Sequence, residues 1–181
     1  MFIIEPTRYE SASKELRGVY KMIHKELGFI PPHLELFATI DKEALIEFIA
    51  YQRSMMNHPA IDAAMLPFLR LYIAHKEQRT YCQAFNTKLL RSQHIDEQFI
   101  VDAINTIEEI PVADSQRALA QEVIRALYDT SNFTAENITR LEVWGFCHKD
   151  FFDLLNYCCN FMSKSKMIEI YLAKKTDKEF Y

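Results

Sequence analysis

The chain has 181 residues, 49% of them apolar, which is enough for one sizeable core and short for two domains. Its formal net charge of -4, with no basic block, excludes the electrostatic footprint of a nucleic-acid binder. No apolar run reaches the length of a membrane span, and the start (Met1, Phe2, Ile3, Ile4, Glu5, Pro6) lacks the charged region and apolar stretch of a secretory signal, so a cytoplasmic protein is expected.

Three glycines and six prolines are too few for the many tight turns of a sandwich or barrel, and the composition favours helices. Four cysteines in a large, reduced core read as thiols rather than as staples.

In chain order, Leu16, Val19, Tyr20, Ile23 and Leu27 recur at helical spacing within residues 9–27, and Gly28 supplies a left-handed stop. Pro31 and Pro32 break the chain and fit the first turn of a short helix through residues 33–38. Asp41 is placed to cap a helix over residues 42–57, whose stripe is Leu45, Phe48, Ile49 and Met56. Residues 60–92 read as one long central helix, with Leu66, Leu69, Tyr72, Ile73, Tyr81, Phe85, Leu89 and Leu90 on several sides. Pro67 inside it requires that the helix begin near Leu66 or kink there.

A turn at Gln93 and His94 precedes a short helix over residues 96–106, and Pro111 opens a linker to another over residues 114–128. Thr134 is placed to cap residues 135–144, Gly145 closes that helix, and the last one runs from His148 to about Lys174. The aromatics Phe146, Phe151, Phe152, Tyr157 and Phe161 read as core or subunit interface, and the charged tail from Lys174 to Glu179 as a solvated end. A shift of 54 positions aligns His94 with His148, Asp96 with Asp150 and Ile100 with Leu154, a faint hint of a duplicated unit.

On one continuous helix, His75, Arg79, Cys82 and Asn86, at offsets of 4, 3 and 4, share a stripe that brings together an imidazole, a guanidinium, a thiol and a carboxamide. Cys82 and His75 are the candidate catalytic pair, thiol and base, and Arg79 and Asn86 the candidate binding residues. The plain alternatives are a core thiol for Cys82, a pairing of Arg79 with Glu77, a hydrogen-bonded His75, and a register-fixing polar contact for Asn86. No metal site is expected, because Cys147, His148, Cys158 and Cys159 match no zinc spacing and adjacent cysteines diverge on a helix.

The segment Leu27, Gly28, Phe29, Ile30, Pro31, the helix through residues 71–90, and Trp144, Gly145, Phe146 followed by residues 148–161 together resemble the alkylhydroperoxidase D-like superfamily. That superfamily also contains carboxymuconolactone decarboxylase, and the resemblance is to its uncharacterised peroxidase-related branch. It implies an all-α, AhpD-like helical bundle, a single domain over residues 1–181 whose second half surrounds the residue 71–90 helix, and a homo-oligomer. Peroxidase members carry Cys-x-x-Cys-x-x-x-His with an upstream glutamate, in which the second cysteine attacks peroxide, the first resolves it, and glutamate and histidine relay protons. The second cysteine falls on Cys82, the first on Arg79, the histidine on Asn86, and the glutamate on or near Pro67.

Three of the four functional positions therefore depart. Arginine cannot capture a sulfenate, and asparagine cannot cycle a proton near neutrality. The expectation is a diverged member without the two-cysteine relay and without a cofactor, a helical oligomer in a small-ligand or structural role. The alternative is an antioxidant single-cysteine thiol peroxidase that reduces hydroperoxides through Cys82. The departure of Asn86 from histidine also speaks against decarboxylase chemistry.

Overall fold

The computed structural model describes residues 2–173, so the charged tail lies outside the described residues. These residues are all-α: α1 (Lys14–Leu27), α2 (Pro32–Ile40), α3 (Lys42–Met56), α4 (Met65–Lys76), α5 (Thr80–Ser92), α6 (Glu97–Asn105), α7 (Asp114–Tyr128), α8 (Ala135–Glu142) and α9 (His148–Tyr171), with one 3-10 turn before α1 and two between later helices. They cluster into two compact units, residues 2–54 with 167–173, and residues 55–166. The chain leaves the first unit near the end of α3 and returns to it near the end of α9.

In the first unit, Leu16, Tyr20 and Ile23 of α1 pack with Leu34 and Ala38 of α2 and Leu45 of α3. The helix limits follow local chemistry. Ser13 accepts the Leu16 amide at 3.2 Å, Gly28 takes φ +78° to end α1, and Asp41 accepts the Ala44 amide at 3.1 Å to start α3. Tyr20 is fully buried and donates its hydroxyl to the Thr7 carbonyl at 2.6 Å. Burial, with the Glu35 carboxylate nearby, pushes its phenol up to about 12.

In the second unit α4 is the central helix. Met65, Leu66, Phe68, Leu69, Leu71, Ile73 and Ala74 are all buried, and α5, α6 and α7 pack around it. Pro67 is the third residue of α4, where its missing N–H is one of the four that no helix can satisfy internally, so it costs no hydrogen bond. The helix therefore begins beside Leu66 and does not kink.

The single helix expected over residues 60–92 is instead two helices, α4 and α5, and the segment that the second unit surrounds is α4. The break is a left-handed C-terminal turn. Gln78 has φ +56°, its amide donates to the His75 carbonyl at 3.0 Å, and the Arg79 amide donates to the Ala74 carbonyl at 2.8 Å. The same pair of bonds ends α5 at His94 (φ +58°) and α8 at Gly145 (φ +85°). Only the last of the three uses the glycine that makes such a turn readable in a sequence.

Asp96 caps α6 through the Gln98 amide at 2.8 Å. Thr134 and Asn137 form a reciprocal capping box on α8, which ends at Glu142, two residues before the expected limit. Phe146, Phe151 and Tyr157 are buried, whereas Phe152 is 63% exposed. Of the aspartates that the faint repeat aligns, Asp96 precedes its helix as a cap and Asp150 lies inside α9.

Gln78 adopts a conformation that costs a side chain with a Cβ about 1 kcal/mol relative to glycine. Gln78→Gly is therefore expected to raise unfolding stability by about 0.5–1 kcal/mol in urea titration, with the α4–α5 break unchanged.

Candidate functional site

The break between α4 and α5 separates the four candidate residues. His75 lies in the last turn of α4 and is exposed, Arg79 is the N-cap of α5, and Cys82 and Asn86 are buried on α5 itself. The shared stripe thus reduces to Cys82 and Asn86, one helical turn apart, and helical spacing no longer relates His75 to either.

Arg79 pairs with Glu77 at 3.5 Å, and Glu77 also accepts the Tyr128 hydroxyl at 3.3 Å. Desolvation, with the Glu77 carboxylate adding to it, pushes the Tyr128 phenol well above its ordinary value, so the hydroxyl stays a donor. The guanidinium one residue before α5 is thereby engaged at the helix break.

The polar centre of the second unit is built by Arg70, a residue the helical spacing did not single out. Its Nε donates to Asn86 Oδ1 at 2.8 Å, and its terminal nitrogen donates to the Tyr157 hydroxyl on α9. Asn86 Nδ2 in turn donates to the Cys82 carbonyl at 2.8 Å. Asn86 is 0% exposed, Tyr157 1% and Cys82 4%. One guanidinium thus ties α4 to α5 and α9, and the buried carboxamide uses both its acceptor and its donor.

Burial raises the Tyr157 phenol, with Arg70 opposing, so its oxygen meets the guanidinium as an acceptor in the neutral form. The neighbouring Cys158 is also fully buried, and desolvation pushes its thiol far up, leaving it a small apolar group. Cys159 beside it is exposed, as the divergence of adjacent helical positions requires, and no disulfide joins the four cysteines. A signal for Arg70 does stand in the sequence: it is the one charged residue between Met65 and Ala74, and a charge in such a run must be paired.

No protein-family model and no curated protein matches the sequence. Several solved structures do match this fold, two of them along most of their length as follows. One is the alkylhydroperoxidase AhpD core of an uncharacterized peroxidase-related protein from Ralstonia eutropha JMP134, with TM-score 0.76, 14% identity, and 96% of this chain and 92% of that one covered. The other is an uncharacterized peroxidase-related protein from Silicibacter sp. TM1040, with TM-score 0.75, 16% identity, and 88% and 83% covered.

The chain has the AhpD-like fold. In this AhpD-like frame, hydrogen bonds run from Tyr157 through Arg70 and Asn86 to the backbone of Cys82. Among the described residues no helix is long and apolar enough to cross a membrane.

Asn86→Leu removes the acceptor of a charged donor and is expected to lower stability by about 2–4 kcal/mol in urea unfolding. His75→Ala, at an exposed position, is expected to stay within about 0.5 kcal/mol in the same assay.

Proposed function

We propose that this chain is a diverged AhpD-like protein that has lost the two-cysteine proton relay and acts as a helical homo-oligomer in a structural or small-ligand role. Residues 1–181 are read as one AhpD-like domain of a cytoplasmic protein. The observation that carries the reading is Asn86. At the position the resemblance assigns to the relay histidine, a buried carboxamide has its Oδ1 taken by Arg70 and its Nδ2 by the Cys82 carbonyl. Such a group joins α5 to α4 and moves no proton.

Two other positions support the reading. Arg79, at the resolving cysteine's place, has no sulfur to give and is paired with Glu77. Pro67, at or near the place of the glutamate, lies buried in the first turn of α4. Support for an oligomer comes from Val143, Trp144 and Phe152, apolar side chains 88%, 50% and 63% exposed around the start of α9.

The alternative is a single-cysteine peroxidase. In it the Cys82 thiolate attacks a hydroperoxide oxygen, the O–O bond breaks to release alcohol, and the sulfenic acid is resolved by an external thiol or by an exposed cysteine. Cys147 and Cys159 are exposed thiols that suit the resolving step, whereas Cys158 is buried.

The test is consumption of hydrogen peroxide and cumene hydroperoxide by the reduced protein, beside Cys82→Ser. The proposal expects both proteins to react no faster than free cysteine. Rapid turnover that disappears in Cys82→Ser would replace it with the single-cysteine peroxidase.

A further inference from the structure

His58, outside the site above, occupies the connection between α3 and α4 and is almost wholly enclosed, its side chain 9% exposed. Its Nδ1 accepts two backbone amides, Ala60 and Ile61, each at 3.2 Å. An imidazole nitrogen that accepts carries no proton, so the proton is on Nε2, which donates to Asp153 Oδ2 on α9 at 3.1 Å. Asp153 also receives the ammonium of Lys149, one turn earlier on α9.

A second clamp holds the same connection from α7. Gln116 donates Nε2 to the Ala60 carbonyl at 2.8 Å and accepts the Asp62 amide through Oε1 at 2.9 Å. Of the two clamps, only the imidazole can change protonation state near neutrality.

We infer that His58 is a pH-operated latch whose neutral form pins residues 60 and 61 and whose protonated form releases them. Protonation puts a donor in place of the nitrogen that accepts both N–H groups, and both bonds are lost together. The imidazolium keeps its contact with Asp153, so the ring can turn away from the amides without losing its counter-ion. Lys149 shares that carboxylate. Asp62, in the connection itself, is engaged through Oδ1 with the Ala64 amide. Hydrogen bonds from Lys149 foremost, then from His58, hold the Asp153 carboxyl below its ordinary range, so it faces the ring as a carboxylate.

The experiment is amide hydrogen exchange by NMR on the full chain at about pH 7.5 and about pH 5, the span in which histidine titrates, with the His58 ring signals followed in parallel. After correction for intrinsic rates, the Ala60 and Ile61 amides are expected to exchange about tenfold faster at the lower pH, in step with ring protonation. The Asp62 amide, held by Gln116, is expected to stay protected. His58→Asn keeps an acceptor at similar reach that cannot titrate, so it should retain protection at both pH values. Asp153→Asn should move the release to lower pH. Protection that persists in the wild type after the ring has protonated, a ring that stays neutral to about pH 5, or the same acid loss in His58→Asn would overturn the latch.

Discussion

A guanidinium in the middle of an apolar helix has to be paired, and in this fold that requirement organises the second unit. Arg70 is half-buried among apolar neighbours, so its guanidinium restricts what α5 and α9 can place opposite it. Asn86 and Tyr157 meet the restriction with neutral oxygens, and Asn86 passes the constraint on to the Cys82 carbonyl. Helices that hydrophobic burial alone would let slide are thereby held in register.

The same network bears on function. A thiol relay needs groups that exchange protons and a second sulfur within reach of the first. Here the residue one turn beyond Cys82 is a carboxamide with both ends occupied, and the residue one turn before it is an arginine held by Glu77. These side chains fit a site built for packing and hydrogen bonding. His58 and Gln116 show the same habit in the connection before α4, where side chains, not regular structure, satisfy the backbone.

Much of the helical framework was legible because it is written in short-range chemistry. Asp41 and Thr134 mark helix starts, and Gly28 and Gly145 mark ends, where φ is positive. The break at Gln78 was not legible, because apolar spacing continues through residues 66–90 and glutamine carries no signal for a left-handed turn. That one residue turned a four-member stripe into two neighbours, an arginine at the N-cap of α5 and an exposed histidine. Arg70 was legible in principle as a lone charge in an apolar run, but its partners lie 16 and 87 positions away, beyond any local pattern.

The most direct test of the central claim is a double-mutant cycle on unfolding free energy with Arg70→Met, Asn86→Leu and the double variant. If the guanidinium and the carboxamide form one structural unit, the double variant is expected to lose at least about 1.5 kcal/mol less than the sum of the single losses. Losses that add to within about 0.5 kcal/mol would contradict the account, because Asn86 would then be held for some reason other than Arg70.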